Sequence, residues 1–291
     1  MFSFSGHETF PLRFLWLPKA VRAAAENPGV FQSDEAIATF GVGKNMVRSM
    51  KHWGLAAGVL QPVNGARSDV EPTPFGIETF GDGGTDPYCE RPETAWRLHW
   101  ELCRGPERAT LWHYLFGHWR GSGVDLPALE HELTSWLRSR DADVPSTSTL
   151  KRDFLCLAAC YAPARSASSD PEDAATCPLS SLGLAHRSAG TLYFRGGRRA
   201  RLSARVFADA ILDFWGEVAP GRLTLSIDEA IKHAGSPGRV FLLSEDQAFE
   251  LVEAASALED APFRFDSTAG VQQLYRSTVP TSAFSSSTLV A

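Results

Sequence analysis

Five side chains between positions 44 and 52 carry the groups that proteins use to contact nucleic acid. On a helix of 3.6 residues per turn they share one side, and they are Lys44, Asn45, Arg48, Lys51 and His52. Ammonium and guanidinium groups neutralise backbone phosphates, and arginine and asparagine also hydrogen-bond to base edges in the major groove. No acidic residue lies between Phe40 and Gln61. We therefore predict that this face contacts double-stranded DNA.

The surrounding residues predict a helix-turn-helix that would hold this face. Ser33 is a candidate N-cap of a first helix, and Gly41-Val42-Gly43 breaks the pattern where a tight turn belongs. A second helix is predicted from about residue 44 to residue 55. Its polar side would include Ser49, and its apolar side would consist of Met46, Val47, Met50 and Trp53.

Two short strands with a strong turn signal follow the second helix. Residues 58–63 and 69–71 would pair around Asn64-Gly65, through a connection that is longer than the tightest hairpin turns. Arg67 would lie at the hairpin tip as a further DNA contact. Helix, turn, helix and hairpin together predict a winged helix. The alternatives are a winged helix that contacts only protein, or a basic helix face that is merely solvated.

A second basic run lies in the last third of the chain. It flanks Gly196-Gly197 without an intervening acid and consists of Arg195, Arg198, Arg199, Arg201 and Arg205. Within it, Arg198, Arg199 and Arg201 are predicted to follow a phosphate backbone. The equally weighted alternative is a solvated loop that pairs with carboxylates elsewhere.

The best isolated polar cluster for phosphodiester chemistry lies near the N-terminus, at His7, Glu8 and Arg13. Our hypothesis is that Glu8 holds Mg²⁺ or Mn²⁺, that His7 assists proton transfer and that Arg13 contacts phosphate. The favoured alternative is structural. In that interpretation an ion pair within the cluster fixes the N-terminus to the winged helix.

Nucleotide and zinc sites are not expected. The sequence Gly41-Val42-Gly43-Lys44 lacks the first glycine and the final Ser or Thr of a phosphate-binding loop. The residues His99, Cys103, His113 and His118 lack a recognised zinc-ligand spacing, so buried side chains are the expected outcome.

Composition limits the function classes further. The 291 residues are 44% hydrophobic, which is ordinary for a globular protein, and the net charge of −6 argues against a general polyanion-coating protein. The scattered cysteines predict buried thiols in a reducing cytoplasm. No apolar run approaches a membrane span, so no membrane partner is expected.

The pattern of segments predicts a mainly α fold with small β elements (α+β). In the C-terminal part, residues 191–194 with the Gly196-Gly197 turn predict a hairpin, and residues 239–243 predict a strand. Predicted N-caps there are Ser203, Ser226 and Ser244, the last in a capping box with Gln247. The predicted units are 1–84 (N-terminal segment plus winged helix-turn-helix), 85–163 (helical, with a possible second helix-turn-helix), 164–176 (linker), 177–276 (α+β) and 277–291 (disordered tail).

Several segments also carry a family resemblance. They are FSGHETFPLRFLWLPKAV, DEAIATFGVGKNMVRSMKHWGLAAGVL, TPFG with DPYCERPETAWRLHWEL, and later PLSSLGL, SPGRVFLL and DSTAGVQQLYR. Together they resemble the SspB-like family of bacterial DNA phosphorothioation systems, long catalogued as a domain of unknown function. The resemblance implies DNA binding and strand nicking in a modification and antiphage defence system, alongside a cysteine desulfurase, an ATPase and a sulfur-transfer enzyme. It identifies no catalytic residues. The alternative function is a non-catalytic winged-helix adaptor or transcriptional regulator.

Overall fold

Helices make up most of the molecule, and small antiparallel sheets lie between them. The computed structural model describes residues 2–163, 177–268 and 271–277. The fold is α+β, as the sequence predicts. Within the described ranges, no helix is long and apolar enough to cross a membrane. The predicted linker and all but the first residue of the predicted tail lie outside the described residues.

The N-terminal part begins with an extended segment and helix α1, which packs against α3 and α4. Its elements are α1 (Trp16–Glu26), a 3-10 turn (Val30–Gln32), α2 (Ala36–Phe40), α3 (Lys44–Ala56), β1 (Leu60–Val63), β2 (Ala66–Pro72) and α4 (Pro74–Phe80). Ser33 is not the N-cap of α2, because α2 begins at Ala36 and the Ser33 hydroxyl accepts from the Glu35 N–H instead.

The β1–β2 hairpin is tighter than the sequence suggested. Val63 pairs with Ala66, so the connection is the two residues Asn64-Gly65 rather than the whole segment 64–68. Both turn residues have positive φ, 50° and 76°, which is the backbone that Asn-Gly favours in two-residue hairpin turns.

The middle part is helical, as predicted, with one short strand that the sequence did not reveal. Its elements are α5 (Pro92–Cys103), α6 (Pro106–Trp112) continued by a π-helical turn (His113–His118), β3 (Gly123–Val124), α7 (Leu126–Arg138) and α8 (Thr147–Tyr161). A two-residue strand has no periodicity to detect. The π-helical turn likewise has no distinct sequence pattern.

The C-terminal part alternates short helices with strands. Its elements are a 3-10 turn (Pro178–Leu182), β4 (Ala185–Ser188), β5 (Thr191–Phe194), α9 (Ala204–Val218), β6 (Thr224–Ser226), α10 (Ile227–Lys232), α11 (Pro237–Val240), α12 (Glu245–Ser256), β7 (Phe263–Thr268) and β8 (Val271–Arg276). The sheet orders are β3-β5-β4 and β6-β8-β7. Because β3 pairs with β5, one sheet crosses the predicted boundary between the middle and C-terminal units, and that division stays a prediction.

Three local expectations in the C-terminal part were wrong. The hairpin turn is Ala189-Gly190, which precedes β5, and Gly196-Gly197 lies outside it. Residues 239–243 contain the end of α11 rather than a strand, because Pro237 starts a helical turn there. Ser203, Ser226 and Ser244 do cap helices, but the capping box belongs to Ser226 and Glu229.

Candidate nucleic-acid interface

Helix α3 is fixed to the body of the protein by its apolar side. Val47, Met50 and Trp53 are buried, as the helical spacing predicts. The turn before α3 depends on Gly41, whose left-handed backbone (φ 66°) ends α2. Ser49, expected on the polar side, is buried instead because its hydroxyl donates a hydrogen bond to the carbonyl oxygen of His7 (2.9 Å).

Three of the five predicted contact residues on α3 lie together on its exposed side. Lys44, Asn45 and Arg48 are exposed. Neither Lys44 nor Arg48 forms an ion pair with any described residue. Lys44 and Asn45 also occupy the first turn of α3, where the helix N-terminus adds positive potential. We call these three residues the α3 face.

Lys51 and His52 are directed towards the protein itself. The Lys51 ammonium donates to the Ser68 carbonyl of β2 (2.8 Å) and lies 6.0 Å from the Phe31 ring centroid. Partial burial lowers the pKa of Lys51, and the nearby Asp69 carboxylate partly opposes that effect. The imidazole of His52 lies against Gly6, where an added Cβ would be 2.5 Å from Nδ1. Both residues therefore hold neighbouring segments against α3.

Only the backbone of Arg67 is described by the structure. It lies on β2, as an extension of the hairpin, and its side chain falls outside the described atoms. Its predicted contact with DNA stays a prediction.

His7 is the central contact of the N-terminal segment. Its ring is buried, its Nε2 lies 3.0 Å from Asp153 Oδ1 on α8, and its Nδ1 accepts from the Thr9 N–H (3.1 Å). The Asp153 carboxylate also accepts from the Ser5 N–H, at 3.1 Å and 3.0 Å from its two oxygens. Both ring nitrogens are thus engaged inside the protein. We call His7 with Asp153 the N-terminal clasp.

Sequence reasoning missed Asp153. It is a single acid on the buried face of α8, where Leu150, Leu157 and Cys160 recur at helical spacing. That position was a usable signal, because a buried carboxylate requires a partner. The identity of the partner was not visible, since His7 is 146 residues away in the chain.

Glu8 and Arg13 follow His7 in the chain, before α1. Glu8 is half-buried and has a left-handed backbone (φ 48°), between His7 and Thr9. The Arg13 guanidinium lies 5.5 Å from the centroid of the Trp16 ring, at the start of α1. Among the described residues, no group of three or more His, Cys, Asp or Glu side chains is arranged to hold a metal ion.

The arginine run is largely occupied by intramolecular contacts. Arg198 pairs with Glu250 on α12, and Arg205 pairs with Asp260. Arg199 is buried, donates to the carbonyls of Phe241 (3.1 Å) and Leu242 (3.2 Å), and has its pKa lowered by that burial. Arg201 is exposed. These contacts favour the solvated-loop alternative for the run over a second DNA contact.

The four residues considered for zinc are in contact through Cys103, whose thiol lies 3.7 Å from Nδ1 of His99 and whose carbonyl oxygen lies 2.7 Å from Nδ1 of His113. His99 is buried between the Tyr161 hydroxyl (2.7 Å) and the Val240 carbonyl (2.9 Å), and burial lowers its pKa to about 4. His113 lies beside His118 on the π-helical turn, with their Nε2 atoms 3.0 Å apart.

A family model described as "Protein of unknown function (DUF4007)" matches residues 4–289. The chain belongs to the DUF4007 family. Its fold is also similar to two solved structures, which confirms the resemblance to SspB. The "Magnesium ion-bound SspB crystal structure" is 28% identical, with a TM-score of 0.85, and the match covers 94% of this chain and 83% of that one. The "SspB crystal structure" has the same identity and coverage, with a TM-score of 0.83. A comparison with curated proteins found no match.

Within the DUF4007 chain, the geometry therefore separates two groups of candidate residues. Lys44, Asn45 and Arg48 are placed to meet a ligand from solvent. His7, Lys51 and His52 hold the N-terminal segment and β2 against α3. Sequence spacing could place these residues on helix faces, but it could not show which of them have internal partners.

Proposed function

We propose that this chain binds double-stranded DNA through the α3 face and nicks one strand as part of a bacterial phosphorothioation system. The observation that carries the proposal is the similarity to SspB over 94% of the chain. The order α2, α3 and the β1–β2 hairpin supports a winged helix, in which the second helix enters the major groove. Two exposed cations and one exposed amide on that helix suit phosphate and base-edge contacts.

Nicking requires an activated water, charge relief at phosphorus and help for the leaving oxygen. A divalent cation supplies these when it is bound, and one solved SspB is described as magnesium-ion-bound. Mg²⁺ in such sites is often held by one or two carboxylates together with substrate phosphates. The single carboxylate of Glu8 fits that pattern if phosphate oxygens of the bound DNA supply the other ligands of the metal.

The contacts of the N-terminal clasp support different roles for His7, Glu8 and Arg13. Because both nitrogens of His7 are engaged by Asp153 and Thr9, we propose that His7 positions the loop and that Glu8 carries the metal contact. Arg13 remains the proposed phosphate contact. Because neither nitrogen of His7 is open for proton transfer, the same contacts favour the second candidate function, a non-catalytic DNA-binding adaptor. In either case the proposed partners are a desulfurase, an ATPase and a sulfur-transfer enzyme.

The α3 face is tested by replacing Lys44 and Arg48 together with alanine. We expect duplex affinity to fall about tenfold or more at low salt. The slope of log affinity against log salt should decrease by about two, since each lost phosphate contact removes about one. Fluorescence anisotropy over a salt series measures both quantities.

Arg201→Ala is the matched control, because it removes one exposed cation of the arginine run. It should change the slope by less than about one. A folded Lys44/Arg48 variant with unchanged affinity and slope would remove α3 from the interface.

A further inference from the structure

An aromatic surface lies at the end of α6 and α7, on elements that the proposed DNA contact does not use. The Arg140 guanidinium lies over the Trp136 ring, 4.2 Å from its centroid. Its Nη1 donates to the Trp136 carbonyl (3.1 Å) and to the Ser139 hydroxyl (3.0 Å). These two hydrogen bonds hold the guanidinium over the ring, although Arg140 itself is exposed. We call Trp136 and Arg140 the stacking shelf.

Further rings support the shelf from the π-helical turn. Tyr114 and His118 each have a ring centroid 5.1 Å from that of Trp136, and their own planes are nearly parallel (8°). Phe2 contacts Trp136 edge-on at 5.6 Å. Trp136 and His118 nevertheless stay half-buried. The cluster is therefore open to solvent on one side, unlike the core aromatics.

Two arginines lie near His118 of this cluster, namely Arg140 and Arg239. Arg239 of α11 donates to the carbonyls of Gly117 (3.0 Å) and Trp119 (2.6 Å) and so lies beside the π-helical turn. The pKa of His118 is lowered to about 3, first by burial and then by the positive charges of His113, Arg140, Arg239 and His233. His118 is therefore neutral at pH 7. Acidic groups lie beside the same rings: Glu132 is near Tyr114, and Glu107 is near His113.

A flat guanidinium stacked on an indole, with Arg239 near the same group of rings, matches the chemistry of an unpaired nucleotide. Bases released from a duplex stack on aromatic rings and on arginine planes, and their phosphates meet nearby cations. A duplex does not fit this surface as well, because its bases already stack on each other. We propose that the stacking shelf binds an unpaired nucleotide of single-stranded nucleic acid, with the base on Arg140 and the phosphate towards Arg239.

The shelf is connected to α3 through the core. Trp112 at the end of α6 contacts Trp53 of α3, with ring centroids 5.5 Å apart. The π-helical turn continues directly from Trp112 to His118, which is roughly 10 Å along a helical axis. The proposal goes beyond the α3 face and does not depend on it.

The test compares substitutions of Arg140 and Arg138, which lie just after and at the C-terminal end of α7. Arg140→Lys keeps the charge but loses the planar stack, whereas Arg138→Lys is the matched control at an exposed arginine. The probe is a fluorescein-labelled oligo(dT), with an abasic strand of equal length as the second probe. We expect Arg140→Lys to weaken oligo(dT) binding about tenfold, as stacking of one base allows. Arg138→Lys should bind as the parent does, and all three proteins should bind the abasic strand equally.

Other outcomes would overturn the proposal. One is a parent protein that does not bind oligo(dT), and another is an Arg140→Lys variant that binds it as the parent does. The third is an Arg140→Lys variant that loses as much affinity for the abasic strand or a duplex as for oligo(dT), which would indicate a phosphate contact only. Melting temperatures of the variants establish that each is folded. Loss of duplex binding in the Lys44/Arg48 variant is a separate result, so the shelf and the α3 face can fail independently.

Discussion

Replacing His7 with alanine is expected to lower the free energy of unfolding by about 3 kcal/mol, the cost of leaving a buried carboxylate without its side-chain partner. Asp153 is 2% exposed and would keep only the Ser5 N–H. The N-terminal segment also carries four positive-φ residues, namely Ser5, Gly6, Glu8 and Thr9, so its conformation depends on such contacts. Urea unfolding followed by tryptophan fluorescence measures the change.

A double-mutant cycle makes this prediction specific. His7→Ala combined with Asp153→Ala should cost less than the sum of the two single changes, with a coupling of about 1–3 kcal/mol. Glu8→Gln on the same loop is the control and should change stability by less than about 0.5 kcal/mol. If His7→Ala unfolds at the same urea concentration as the parent, the clasp does not anchor the segment.

Glu8→Gln is expected to have the largest effect on activity. The amide keeps the size of the side chain but removes the negative charge that would bind Mg²⁺, so nicking should fall by about 100-fold or more. Duplex affinity, measured by anisotropy, should stay within about twofold because Glu8 is not part of the α3 face. Rates of plasmid relaxation at a fixed protein concentration give the comparison.

Asp34→Asn serves as the matched carboxylate control, because Asp34 is exposed and precedes α2. It should nick as the parent does. Parental nicking by a folded Glu8→Gln variant would show that the metal contact lies elsewhere in the chain.

Local signals in the sequence predicted much of the helical framework. The spacing of Val47, Met50 and Trp53 placed α3 to within one residue at its end. Ser203, Ser226 and Ser244 were recognised as caps because their hydroxyls satisfy helix N–H groups within three residues. These features depend only on nearby residues.

The parts that sequence reasoning missed depend on distant partners. Gln247 does not close a capping box because its amide bonds to the backbone of Arg199, 48 residues away. Ser49 is buried because the His7 carbonyl accepts from it. The same limit applies to the candidate site, since spacing placed Lys51 on the basic side of α3 but could not reveal its contact with Ser68 on β2.

Relaxation of supercoiled plasmid by the pure protein is the most direct test of DNA nicking. We expect open-circular DNA with Mg²⁺ or Mn²⁺, no product in EDTA and little linear DNA, since one strand is cut. Supercoiled plasmid that persists with metal, in a preparation that binds duplex DNA, would contradict nicking and leave the adaptor function. Equal relaxation in EDTA would contradict the proposed role of the metal.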